Sequence, residues 1–111
     1  MIISKKKLIP KDTARQWLAD VCVEKVFYCR DGRVFKNLQE LSAGLRSMTA
    51  DTYNHHVTTD RNDFSNWIRD VIGDEVLAEE LRNVEDKAAA TMKIEERLTH
   101  LRTRAWTRDK L

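Results

Sequence analysis

The sequence predicts a mainly α fold, a compact bundle of five to six short helices with one small β-hairpin near residues 23–36. Three observations predict it. Glycine and proline are scarce, three and one in 111 residues, too few for the many turns of a sandwich or barrel. Apolar residues recur at helical spacings along most of the chain. A single Asp31-Gly32 pair divides two short stretches rich in valine and aromatics, the signal of one hairpin. The length corresponds to one domain, and an apolar content of 41% fills one core.

Residues 1–10 read as a loose basic lead-in, 11–104 as the helical domain and 105–111 as a basic tail. Pro10 opens the first helix, where a missing N–H costs nothing, with Trp17, Leu18 and Val21 inward. From Val23 to Arg30 the chain reads as a strand, turned through two residues at Asp31-Gly32 and returned by Arg33-Val34-Phe35. A lone hairpin is marginal, so it must lie on helices. Asn37 caps a helix with Leu38, Leu41 and Leu45 at i, i+3, i+7, and Thr49 restarts a helix carrying Tyr53 and Val57. The polar stretch 58–61 is a loop. Asn62 or Asp63 caps a helix bearing Phe64, Trp67, Ile68 and Val71, and Gly73 ends it in a left-handed position. Asp74 begins the next, with Val76, Leu77, Ala78 and Leu81. The last helix runs from about Glu85 to Arg104, with Ala90, Ile94, Leu98, Leu101 and Ala105 on one stripe.

Charged residues make up 34% of the chain but nearly cancel, leaving +2, which confers solubility without dictating a partner. There is no apolar run of about 18 residues to span a membrane, and the N-terminus lacks the apolar core of an export signal. A cytoplasmic location is therefore expected, with Cys22 and Cys29 as buried, unreactive thiols. If residues 22–29 are extended, the two lie about 23 Å apart and cannot bond to each other.

Between residues 25 and 82 lies a distinctive pattern. It combines the aromatic strand with Asp31-Gly32, Leu38-Gln39-Glu40-Leu41, and Tyr53 with the His pair. It continues with Asn62-Asp63-Phe64, Trp67-Ile68, Asp70-Val71 and Gly73-Asp74, then Leu77-Ala78. This resembles an uncharacterised domain of archaea and bacteria, found alone or fused to larger proteins, carbohydrate-active enzymes among them. The resemblance implies a compact helical domain of a prokaryotic cytoplasm and no particular chemistry. Occurrence both alone and as an appendage implies an interaction role, by association.

The densest polar region holds His55, His56, Asp60, Asn62, Asp63 and Asp70. Imidazoles beside carboxylates suit metal binding or acid–base work. Adjacent histidines on a helix, however, point about 100° apart and cannot chelate together. The spacings of zinc ligands and of a calcium loop are absent, as are the nucleophile elbow and the phosphate loop, so neither metal nor cofactor is expected. The structural alternative has one His packing against Tyr53 or Trp67 while Asn62 and Asp63 cap a helix. Asp70, Gly73 and Asp74 likewise read as a corner between two helices.

Charge is bipolar along the chain. Residues 60–86 carry nine acids and three bases; residues 97–110 carry five bases and one acid, and Lys5, Lys6 and Lys7 add a second basic cluster. Trp106 stands amid the C-terminal bases. The leading functional reading is a non-catalytic protein-interaction or accessory module, whose surface comprises Arg97, Leu101, Arg102, Arg104, Trp106 and Arg108 and which can also pair with a second copy through the C-terminal helix. The second reading is nucleic-acid or ribosome association through the basic termini, although a pI of 8.6 falls short of a dedicated nucleic-acid binder. The third is a small metal- or ligand-dependent enzyme centred on His55, His56, Asp63 and Asp70.

Overall fold

The computed structural model describes residues 8–107. Six α-helices and one antiparallel hairpin follow one another, as helical periodicity and the Asp-Gly pair predict. Helix α1 spans Lys11–Leu18, α2 Leu38–Ser47, α3 Ala50–His56, α4 Asp63–Trp67, α5 Glu75–Arg82 and α6 Lys87–Ala105; β1 is Phe27–Tyr28 and β2 is Val34–Phe35. Asn37, Thr49, Asn62 and Asp74, marked in the sequence as helix starts, each accept from the backbone N–H three residues on, and Asp86 does the same for α6. Each cap satisfies a donor that the helix itself leaves orphaned.

Helix α6 organises the core. Its predicted stripe of Ala90, Ile94, Leu98, Leu101 and Ala105 is buried, packing chiefly against α1 and α2 and also against α5. Leu38, Leu41 and Leu45 of α2 are fully buried, each worth about 1.5–3 kcal/mol against exposure. Ile9, placed in the lead-in by the sequence, is buried too. Of the apolar residues of α5, Leu77, Ala78 and Leu81 are buried and Val76 is exposed.

The hairpin differs from its prediction in three respects. Val23–Lys25 form a single 3-10 turn, closed by Lys25 N–H to the Cys22 carbonyl at 2.8 Å, and the Lys25 carbonyl accepts from the Trp67 indole at 2.7 Å. Only residues 27–28 and 34–35 are strand, paired Phe27 to Phe35 and Tyr28 to Val34. The loop holds three residues rather than two: Cys29 N–H donates to the Arg33 carbonyl at 2.9 Å, and Gly32 N–H returns to the Cys29 carbonyl at 3.0 Å. Gly32 supplies the positive φ, +96°, that such a loop requires. Of the two thiols expected to be buried, only Cys29 is; Cys22, which precedes the 3-10 turn, is exposed. Phe35 lies so close on α2 that a Cβ on Gly44 would fall 2.2 Å from its Cζ.

The helix after Asn62 also departs from expectation. After five α residues it widens into a π turn, Ile68–Ile72, closed by Gly73 N–H to the Ile68 carbonyl at 2.7 Å. Gly73 then takes the left-handed conformation, φ +101°, as predicted. Asn62 and Ser65 fasten this helix to α5, through the Leu81 carbonyl at 3.2 Å and the Ala78 carbonyl at 2.6 Å.

Candidate functional site

Three of the four residues in the polar cluster come together. His56, at the end of α3, is buried against the rings of Phe27 and Phe64, at 5.1 and 5.2 Å between centroids, rather than against Tyr53 or Trp67. Its Nε2 accepts from the Arg30 backbone N–H at 3.0 Å, which leaves the ring proton on Nδ1 to be donated to Asp63 Oδ2 at 3.0 Å. A carboxylate on Nδ1 is half of an acid–base pair. The other half needs an open Nε2, and here that nitrogen clasps the hairpin loop. His56 thus ties the loop, the end of α3 and the start of α4 into one unit.

His55 is exposed to solvent, its ring perpendicular to that of His56 with centroids 4.9 Å apart. A guanidinium can only donate, so Arg30 Nη1, 2.8 Å away, donates to His55 Nδ1. Arg61 donates from Nη2 to the His55 carbonyl and from Nε to Asp63 Oδ1 at 3.1 Å. Partial loss of solvent, and then the charge of Arg30, hold the His55 pKa below its ordinary value. Arg30 and Arg61 are members of this cluster that sequence reasoning missed. Asp70 is not: it lies on the π turn, paired with Arg69 at 2.8 Å, beside a separate hollow with Gln16, Asp20 and Cys22. Among the described residues no group of three or more His, Cys, Asp or Glu side chains is arranged to hold a metal ion.

The residues predicted as an interaction surface divide sharply. Leu101 is fully buried, so the apolar edge of α6 serves the protein's own core and is not presented outward. Arg97 is only 12% exposed, and its fork grips the wholly buried Asp74 carboxylate at 2.7 and 2.8 Å. It also lies over the Trp17 ring, 5.8 Å from the centroid, so both residues belong to the structure and not to a contact surface. Arg102 is exposed and donates to Gln39 at 2.7 Å. Arg108 lies outside the described residues.

Trp106 does stand outside, 69% exposed. Helix α1 runs antiparallel along α6 and brings the two described ends of the chain to one pole. There Arg104 Nε donates to the Ile9 carbonyl at 2.8 Å, and Arg15 Nε donates to the Ala105 carbonyl at 2.9 Å. The Arg15 guanidinium also sits 5.1 Å from the Trp106 ring centroid, a cation–π contact that holds the exposed indole in place. Leu8, next to Ile9, is exposed as well. Only the convergence of α1 and α6 creates this pole, and no local signal announces it.

No helix among the described residues is long and apolar enough to cross a membrane. Residues 22–104 match the model of a family of unknown function, DUF5752. With that share of its length matched, the chain belongs to this family. No curated protein and no solved structure matches it.

Proposed function

We propose that this member of the family is a non-catalytic binding module of a prokaryotic cytoplasm, which takes a protein partner at the pole formed by α1 and α6. The observation that carries the reading is Trp106, exposed yet held by Arg15. A large aromatic already fixed in the free protein loses little conformational freedom on binding, and such residues dominate interface energetics. A tryptophan offers roughly 150–250 Å², so covering the exposed part contributes on the order of 3 kcal/mol. Arg15, Arg102 and Arg104 are the bases around it, and Lys5–Lys7 and Arg108 adjoin the two described ends in sequence. That balance favours a partner with an apolar anchor and an acidic rim. The closure of His56 Nε2 by Arg30 supports binding over proton transfer as the chain's role.

Helix α6 supplies too much of the core to be deleted, so the test uses substitutions. The full chain and Trp106→Ala are immobilised and exposed to extract of the source cells, with Val76→Ala as a control on another exposed face. Polypeptides retained by the full chain and by Val76→Ala, and lost from Trp106→Ala, support the reading. Equal retention by all three overturns it. Loss of the captured material on nuclease treatment would instead favour nucleic-acid association.

A further inference from the structure

The cluster around His55 carries more positive charge than the protein itself compensates. Two guanidinium groups bond the same residue: Arg30 donates to the His55 ring at Nδ1, 2.8 Å away, and Arg61 donates to the His55 backbone carbonyl. The one carboxylate bonded to this group is Asp63, and both its oxygens are engaged, Oδ1 by Arg61 at 3.1 Å and Oδ2 by His56 at 3.0 Å. Arg30 has no carboxylate partner among the described residues. Its Nε and Nη2, and Nη1 of Arg61, find no acceptor there either. Arg30, His55 and Arg61 all lie at the surface. The unused fork of Arg30, the one unused nitrogen of Arg61 and the exposed imidazole, all bonded to or part of the same residue, supply the donors and the missing charge that a tetrahedral oxyanion needs.

We propose that Arg30, His55 and Arg61 bind the phosphate group of a small phosphate monoester. In this arrangement Arg30 turns its fork from His55 to the phosphate oxygens, and Arg61 adds its unused N–H. His55 Nδ1, released from Arg30, takes up a proton and donates it in a hydrogen bond to the phosphate. The charged groups facing His55 are Arg30 from the hairpin loop and Arg61 and Asp63 from the segment that enters α4; the His56 imidazole faces it from its own helix. A bound dianion cancels the charge of the two arginines and, together with Asp63, leaves the surroundings of His55 net negative, so binding is coupled to proton uptake. Beside the cluster, and sharing Arg61, is a hollow of about 490 Å³ lined by Asn54, Thr58, Thr59, Asp60 and Asn62 among others. Asp60 and Glu85 add carboxylates to this lining, and Tyr53 and Val84 apolar surface, so the hollow suits a small uncharged, hydroxylated body on the phosphate rather than a second anionic group. This site lies apart from the Trp106 pole, and either can fail without the other.

The test follows the His55 ring by NMR in the full chain, titrated with inorganic phosphate and with glycerol phosphate, against sodium chloride at matched ionic strength. The expected result is saturable binding, with the His55 titration moved upward by both phosphates and not by chloride. Arg30→Gln should weaken binding by at least about tenfold, the loss expected for one charge-assisted hydrogen bond. Arg61→Gln should do the same; if it fails to fold, Arg30→Gln decides alone. A His55 titration identical in phosphate and chloride overturns the proposal, as does full phosphate binding by Arg30→Gln. Binding of a single-stranded oligonucleotide without binding of either small phosphate overturns it in favour of a nucleic-acid backbone.

Discussion

Replacing Arg97 by methionine tests whether the Asp74–Arg97 pair holds the corner after the π turn. Asp74 is wholly buried; its carboxylate accepts from the Leu77 N–H at 3.2 Å and from two nitrogens of Arg97 at 2.7 and 2.8 Å. Methionine keeps an aliphatic stem of similar length, gives up the guanidinium over Trp17, and leaves a buried charge with a single neutral donor. Stranding one member of a buried pair costs about 3–5 kcal/mol, against a total stability of about 5–15 kcal/mol for a typical domain. At roughly 4 °C per kcal/mol for a chain of this size, the melting temperature should fall by about 12–20 °C. Urea unfolding followed by circular dichroism gives the free energy directly. The double variant Asp74→Ser, Arg97→Met retains a capping oxygen and buries no charge, so it should be more stable than Arg97→Met alone. A loss below about 1 kcal/mol for Arg97→Met, or a double variant less stable than the single, would refute the reasoning.

Three further outcomes are expected. Gly44→Ala forces a methyl into Phe35 and should cost about 1–3 kcal/mol in chemical denaturation; a neutral result would mean the hairpin moves off α2 freely. Of the two thiols, exposed Cys22 should react at once with a thiol reagent in the native protein, whereas burial shields Cys29 and raises its pKa; two equally fast equivalents would contradict this. Hydrogen bonds from Arg33 lower the Asp31 pKa to about 2, below the unfolded value of about 3.9. Its contribution to stability is therefore complete above about pH 4 and is lost as pH falls through 2, so the stability gap between the wild type and Asp31→Asn should close over that interval. A gap constant from pH 5 to pH 2 would contradict the shift.

What sequence reasoning reached and what it missed differ in range. Caps bond three residues away, so Asn37, Thr49, Asn62 and Asp74 were legible as helix starts, and Gly73 as an end, from their immediate neighbours. The stripe on α6 was legible because 3.6-residue periodicity is local too. The grip of Arg97 on Asp74 spans 23 residues, and that of His56 on the Arg30 N–H spans 26; both depend on how helices cross. Arg97 and Leu101 accordingly read as surface beside their basic neighbours until the packing of α6 placed them. The π turn had no signature, since its apolar residues keep the spacing of an ordinary amphipathic helix. The hairpin loop was misjudged by one residue because Asp-Gly serves a two-residue turn and a three-residue loop alike. Of the candidate sites, the histidines were visible as a cluster, but the two arginines that complete it come from separate loops.

The place of α6 in the core also sets an order in time. Helix α1 is made early, but the stripe it packs against extends to Ala105, 87 residues after Leu18. At about 5–20 residues per second that interval lasts roughly 4–17 s, during which the apolar side of α1 lacks its main partner and has only its lesser contact with α2. Closing contacts between chain segments so far apart is slow compared with forming any one helix. Folding therefore finishes after synthesis of α6, and the first half of the nascent chain depends on its own local helices, or on chaperones, to stay out of aggregation until then.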